Sequence, residues 1–164
     1  MTSLKLPTDF LHVVNKLCLD DMHINQTFDY YHSQYCRSAA ASDFVATSER
    51  IPEVLRQSNY IGYSDRTMGT KIPPRRSYEG AAIRGALQRC GLIRASGHEL
   101  FRGCVLFPEF DPEGHICSAI GFRIASRLRE WDKPTVKWIK PPPGAFELMG
   151  LQAARDMING KTYQ

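Results

Sequence analysis

The chain has 164 residues, 43% of them hydrophobic and 23% charged, and its 21 Lys and Arg exceed its 17 Asp and Glu to give a formal net charge of +4. That composition suits one soluble globular domain, long enough to bury roughly two thirds of its unfolded surface without staples. No apolar run approaches the ~20 residues of a membrane span. Asp9 interrupts what a signal peptide would keep apolar. The five cysteines (18, 36, 90, 104 and 117) contain no CxxC pair, so neither a disulfide framework nor a zinc ribbon is signalled and a cytoplasmic protein with reduced thiols is expected.

Taken in chain order, Thr8 can cap a helix whose positions Phe10, Leu11, Val14, Leu17 and Cys18 follow the helical period. A second helical run, from Asn25 to Ser38, sets Phe28, Tyr31 and Tyr35 on one side. An aromatic stripe at that spacing points to core packing rather than base stacking, because each ring removes a large apolar area from water. Ala39 to Ala41 lead to Ser42, a cap for a short helix through Phe44 and Val45, and Pro52 fits the first turn of another containing Val54 and Leu55. NYIGY, residues 59 to 63, reads as a short strand or extended turn.

From Ser64 to Arg76 there is no core period, only paired prolines, a glycine and four cations, which predicts a loop able to move. Ser77 caps the clearest helix, where Ala82, Ile83, Ala86, Leu87 and Cys90 form the buried stripe and Gly91 supplies the stop. Arg84 and Arg89 lie off that stripe, on a face expected to meet solvent. Val105, Leu106 and Phe107 then form a strand that Pro108, lacking a donor, should close. Asp111 to Gly114, DPEG, is the strongest turn signal and predicts a hairpin into a strand from Ile116 to Ile124. Val136 to Ile139 offers a further strand with Lys137 and Lys140 around Trp138. Large rings in short strands usually bury, so Phe107 and Trp138 are read as core. Three prolines lead to a last helix from Phe146 to Ile158, with Leu148, Leu151, Ala154 and Met157 as its apolar side. The sum is an α+β fold: a small antiparallel sheet of three to four strands with packed helices and a helical N-terminal part.

Charge is unevenly placed. Residues 1 to 63 hold five Lys/Arg against seven Asp/Glu, whereas residues 64 to 140 hold fourteen against eight. The basic excess in the middle suits a polyanion-binding face. Catalytic signatures are absent: no GxSxG elbow, Walker loop, dinucleotide fingerprint or HExxH spacing occurs, and GALQRCG lacks the Lys-Ser/Thr ending of a phosphate loop. Asp20-Asp21 near a helix end, and Asp111 with Glu113 in a turn, read as structural rather than catalytic. No metal-ligand set can be assembled from the spacings.

The succession YIGYSDRTMG, then EGAAIRGALQRCGLIRASGHELFRGCVLFPEFDPEGHICSAIGFRI, then KWIKPP and FELMGLQAA resembles the N-terminal part of the catalytic core of bacterial-type DNA primases, and within them the divergent primase-like proteins of mobile elements. In that family an IGY-like segment precedes a helix ending in GL, followed by F-R-x-x-V-x-F-P, D-x-x-G, a strand reaching G-R, K-Y-[LI]-x-x-P and a helix containing G-L. Here Ile61 to Tyr63, Gly91-Leu92, Phe101 to Pro108, Asp111, Gly114, Gly121, Lys137 to Pro142 and Gly150-Leu151 fall in that order, over roughly residues 42 to 158. The resemblance implies two parts, a helical N-terminal extension over 1–41 and a pre-Toprim primase-core domain over 42–164, forming one compact unit.

It also implies a function: holding single-stranded DNA template, or the DNA/RNA primer duplex, beside the catalytic metals. Arg102 matches the Arg of F-R-x-x-V and Lys137 the Lys of K-Y-[LI]. Arg123 is one residue late, since Phe122 follows Gly121, and a one-residue slip turns a side chain to the other face unless a bulge compensates. Cys104 replaces a commonly basic position. Lys140 joins the expected phosphate contacts, and Arg75 and Arg76 would close over the strand from their loop.

The zinc ribbon and the Toprim carboxylates of the family are not found in the sequence through Gln164, so no catalytic residue, metal ligand or cofactor is assigned to this chain. Mg or Mn is expected only together with a Toprim domain. The expected role is a non-catalytic nucleic-acid-binding module, either part of a longer primase or a separate protein, with a helicase or a Toprim-bearing subunit among its possible partners and no membrane. The alternative is a protein-interaction subunit or primase-like decoy whose N-terminal helices dock on replication machinery; a complete enzyme with an unrecognised metal site is a third reading.

Overall fold

The computed structural model describes the backbone of residues 8–124 and 130–141, and the side chains of 20–124 and 130–141. The chain divides into Met1–Leu19 with Pro141–Gln164, and Asp20–Lys140. The second unit holds every interaction described below. The apolar stripe from Phe10 to Cys18 and the last helix from Phe146 fall outside the described side chains.

Helix α1 runs unbroken from Thr8–Arg37, joining the two helices expected from the sequence. No proline or glycine interrupts those 30 residues, so the lapse in apolar period around Asp20-Asp21 does not end the helix. Ile24, Phe28 and Tyr31 bury on one stripe, as the aromatic spacing predicted. Helix α2, Ala39–Thr47, starts earlier than expected. Ser38, not Ser42, is its cap, accepting from the Ala41 amide at 3.1 Å. The three alanines are therefore helical, in keeping with alanine's propensity.

Helix α3, Glu53–Arg56, follows Pro52. Strand β1 is Gly62–Tyr63, helix α4 is Met68–Lys71, and helix α5 is Tyr78–Cys90. Both ends of α5 form as the sequence indicates. Ser77 Oγ accepts from the Gly80 amide at 3.0 Å, and Gly91 takes the left-handed conformation, φ 83°, that lets Leu92 bond back to Leu87 at 2.9 Å. Within its stripe, Ala86, Leu87 and Cys90 are buried and Ile83 packs against the core, but Ala82 is exposed.

Strands β2, Cys104–Phe110, β3, Ile116–Arg123, and β4, Thr135–Ile139, complete an antiparallel sheet in the order β1-β2-β3-β4. The DPEG hairpin forms: Asp111 Oδ1 accepts from the amides of Glu113 and His115, each at 2.9 Å, and the Gly114 amide bonds to the Asp111 carbonyl at 2.9 Å. Pro108 does not end β2, which continues to Phe110. Cys104 turns its carbonyl toward Ser64 on the β1 side, and alternation puts Pro108 on that same side. There β1 pairs only with Val105 and Leu106, so the missing donor leaves no ladder bond unmade.

Register assigns the two faces. Leu106, Ala119, Val136 and Trp138 share one face and pack with Ile24, Phe28 and Leu87 of α1 and α5. Val105, Phe107 and Phe122 share the other and pack with Ala41, Val45 and Ile51. Trp138 and Phe107 are core, 4% and 1% exposed, so neither ring is presented for stacking on a base. Trp138 Nε1 donates to the Cys90 carbonyl at 2.7 Å, which satisfies the polar end of the indole inside an otherwise apolar contact.

Candidate nucleic-acid interface

The stretch 64–76, read from sequence as a mobile loop, is tied down at its start. Ser64 exchanges backbone bonds with the head of β2, its amide to Cys104 at 3.0 Å and its carbonyl from Gly103 at 3.0 Å. Asp65 Oδ1 accepts from the Thr67 amide at 3.1 Å, and its other oxygen is held by Gln34 of α1. Burial works to raise the Asp65 carboxyl, but these donors outweigh it and hold the group below the usual carboxylate range. Arg66 between them has φ 71°, a left-handed backbone in a residue with a Cβ, which costs on the order of 1–3 kcal/mol and fixes where its side chain leaves the chain. Met68 then plugs into the core at 4% exposure, anchoring α4.

Those anchors create a cleft between the 66–76 segment, α5 and the 94–102 loop. One cavity of about 310 Å³ is lined by Arg75, Arg84, Gln88 and Gly97. A second, of about 190 Å³, is lined by Arg66, Arg84, His98, Glu99 and Arg102. Arg84, Ile93 and Gly97 belong to both, so the two adjoin. Arg75 lies directly on Gly97: a Cβ there would sit 2.2 Å from its Nη2, and Gly97 also holds φ 90°.

Arg84 is the residue sequence reasoning missed. Its helical position lies off the stripe that α5 buries, which reads as solvent-facing, but the 66–69 segment and the 93–102 segment cover it from outside the helix. Its Nη2 donates to the Gly69 carbonyl at 3.1 Å, while Nε is buried with no hydrogen-bond partner among the described residues. A buried donor left unmade costs about 1–3 kcal/mol.

Glu99 supplies the local negative charge. Its Oε1 accepts from Tyr31 Oη at 2.9 Å and Ser64 Oγ at 3.0 Å. Burial raises its carboxyl above the ordinary range despite those donors, and burial likewise lifts the Tyr31 phenol, with the neighbouring Glu99 adding to it.

Of the six expected contacts, Arg102 and Arg75 line this cleft. Arg102 is exposed, and so is Arg76. Lys137 is exposed on β4 on the face that carries Ile120, its partner in register. Arg123 lies on the opposite face beside Cys104, and the irregularity in the β2–β3 ladder is at Glu109/Phe110, too far along to rephase it. Its guanidinium donates to the carbonyls of Lys133 at 3.0 Å and Arg102 at 3.5 Å. Lys140 is paired with Asp21, which is within α1 rather than at a helix end. Cys104, at the position commonly basic in primases, is fully buried, and burial pushes its thiol up to about 11.

No protein-family profile matches the sequence, and no curated protein matches it. Solved structures of primases share the fold. The zinc-binding and RNA polymerase domains of the Aquifex aeolicus primase align with a TM-score of 0.54 at 18% identity, over 75% of this chain and 29% of that one. A DnaG primase catalytic domain bound to single-stranded DNA aligns with a TM-score of 0.56 at 14% identity, over 79% of this chain and 42% of that one. The chain thus has a primase-like fold and spans less than half the length of these structures.

Proposed function

We propose that this chain is a non-catalytic nucleic-acid-binding module of a DNA primase-like replication protein, holding single-stranded template or primer duplex through its phosphates. The observation that carries the reading is the cleft itself, where Arg66, Arg75, Arg84 and Arg102 converge beside the head of β2. A structural neighbour with the same fold is bound to single-stranded DNA. Guanidinium groups present paired donors to phosphate oxygens, a geometry suited to backbone contacts that carry no sequence preference.

Arg102 and Lys137, the two cations that match primase motifs residue for residue, are both exposed and available to a strand. Lys140 would exchange Asp21 for a phosphate, and Arg123 would contribute by holding the Arg102 carbonyl rather than by direct contact. Nucleotidyl transfer, with its Mg or Mn, is assigned to a Toprim domain acting with this module. The order of motifs supports a place among the divergent primase-like proteins of mobile elements, with residues 1–41 as an extension to the primase-core part.

A binding titration of the purified chain with a fluorescent single-stranded oligonucleotide tests this at low salt. A combined Arg102→Ala and Lys137→Ala variant should bind about tenfold or more weakly, and Lys140→Ala should cost less than Lys137→Ala. Unchanged affinity in the combined variant overturns the assignment.

A further inference from the structure

We infer that the cavities around Arg84 form a socket for a phosphomonoester, so that the protein recognises a terminal phosphate in addition to a passing strand. Arg84 is shared by both cavities, its Nη2 is fixed on the Gly69 carbonyl, and its Nε has left water without acquiring an acceptor among the described residues. A small reorientation toward an oxygen drawn into the cavity supplies the missing bond. Arg75 on one side and Arg66 and Arg102 on the other add charge to the same walls.

Several guanidinium groups around a recess match a monoester better than a diester. A phosphomonoester brings about −1.5 to −2 charge and three acceptor oxygens at neutral pH, and its single attachment lets it enter the recess end-on. A backbone diester has one charge and must continue in both directions. Glu99 lines the smaller cavity too, but its single carboxyl stands against Arg66, Arg84 and Arg102 there, so the wall remains predominantly cationic. The backbone at Arg66, φ 71°, holds that arginine beside the cavity where a relaxed conformation would send the side chain elsewhere.

This inference deepens the nucleic-acid reading and rests on it only for what the phosphate is attached to. The test compares oligonucleotides identical except for a 5′-phosphate or 5′-hydroxyl, together with adenosine monophosphate and inorganic phosphate as competitors, on the full chain and on Arg84→Gln and Arg66→Asn. Asparagine tolerates the left-handed backbone, so the second variant removes a guanidinium without straining the loop if the first fails to fold. The expected result is a preference of about tenfold for the 5′-phosphorylated strand that falls to near unity in either folded variant. If neither oligonucleotide binds but adenosine monophosphate or phosphate does, and the variants lose it, the socket stands with free nucleotide or phosphate as its source and the strand-binding reading fails. Equal affinity for the two strands with no binding of the competitors, or a preference unchanged in the folded variants, overturns the inference.

Discussion

Glu99 shows how single residues set the character of the cleft. Its carboxyl is raised above its ordinary value of 4.5, chiefly by burial, so it ionises less readily in the fold than in the unfolded chain. Its contribution to stability is fully present below that ordinary value and is lost as pH rises through the folded value. Asp65 behaves oppositely. The bonds from Thr67 and Gln34 hold it below its ordinary 3.8, so its contribution is present above that value and is lost as pH falls through the folded one. Replacing Glu99 with Gln keeps an acceptor for Tyr31 and Ser64 but removes the titration. Thermal melts across pH 4 to 8 should show wild type losing stability relative to Glu99→Gln as pH rises; parallel pH profiles would contradict the account of Glu99.

At the scale of elements, α5 holds the cleft in place, and its first turn depends on a close approach. A Cβ on Gly80 would stand 2.2 Å from the Pro74 carbonyl oxygen and 2.4 Å from that of Pro73, distances that only backbone movement relieves. Gly80→Ala should therefore destabilise the protein by about 1–3 kcal/mol and shift the segment carrying Arg75 and Arg76, whereas helix propensity alone would make it stabilising. Urea unfolding of the variant decides between the two signs. The Asp21–Lys140 pair ties α1 to the end of β4, with side chains 24% and 30% exposed on the lysine and aspartate. Such partly exposed pairs contribute little, so a double-mutant cycle should give a coupling below about 1 kcal/mol.

What the sequence revealed at this scale follows from how local each signal is. The caps of α5, the DPEG hairpin and the burial of Phe107 and Trp138 rest on residues near one another in the chain, and all appear as expected. The continuity of α1 was hidden because an apolar period reports burial rather than helicity, and a helix can run through a polar stretch such as Asp20-Asp21 without ending. Arg84 was illegible for a related reason: the segments that cover it are distant in sequence, and no periodicity within α5 announces them. The extension of β2 through Pro108 likewise depends on how short β1 is, a fact about pairing rather than about proline.

For the whole molecule, the sheet has helices on both faces and the arginine cleft lies to one side of it, at the head of β2. The basic excess of residues 64 to 140 is not spread over one sheet face. Register separates Lys137 from Arg123, and Lys140 is engaged by Asp21. The convergent cations are instead Arg66 and Arg75 of the 66–76 segment, Arg84 of α5, and Arg102. Motif order in the sequence and the fold of solved primases agree on the scaffold, while the charge that would hold a strand has been assembled partly from residues outside the matched positions.

The central claim is that this cleft binds a nucleic-acid strand through its phosphates, and the salt dependence of binding tests it most directly. Each single-strand phosphate contact contributes a slope of about −0.7 in log affinity against log salt, so three to four contacts give about −2 to −3. We predict a slope in that range for the wild-type chain with single-stranded DNA, reduced by roughly one contact when Arg102 alone is replaced by Ala. Binding that is absent at low salt, or whose slope is the same with and without Arg102, would contradict the account.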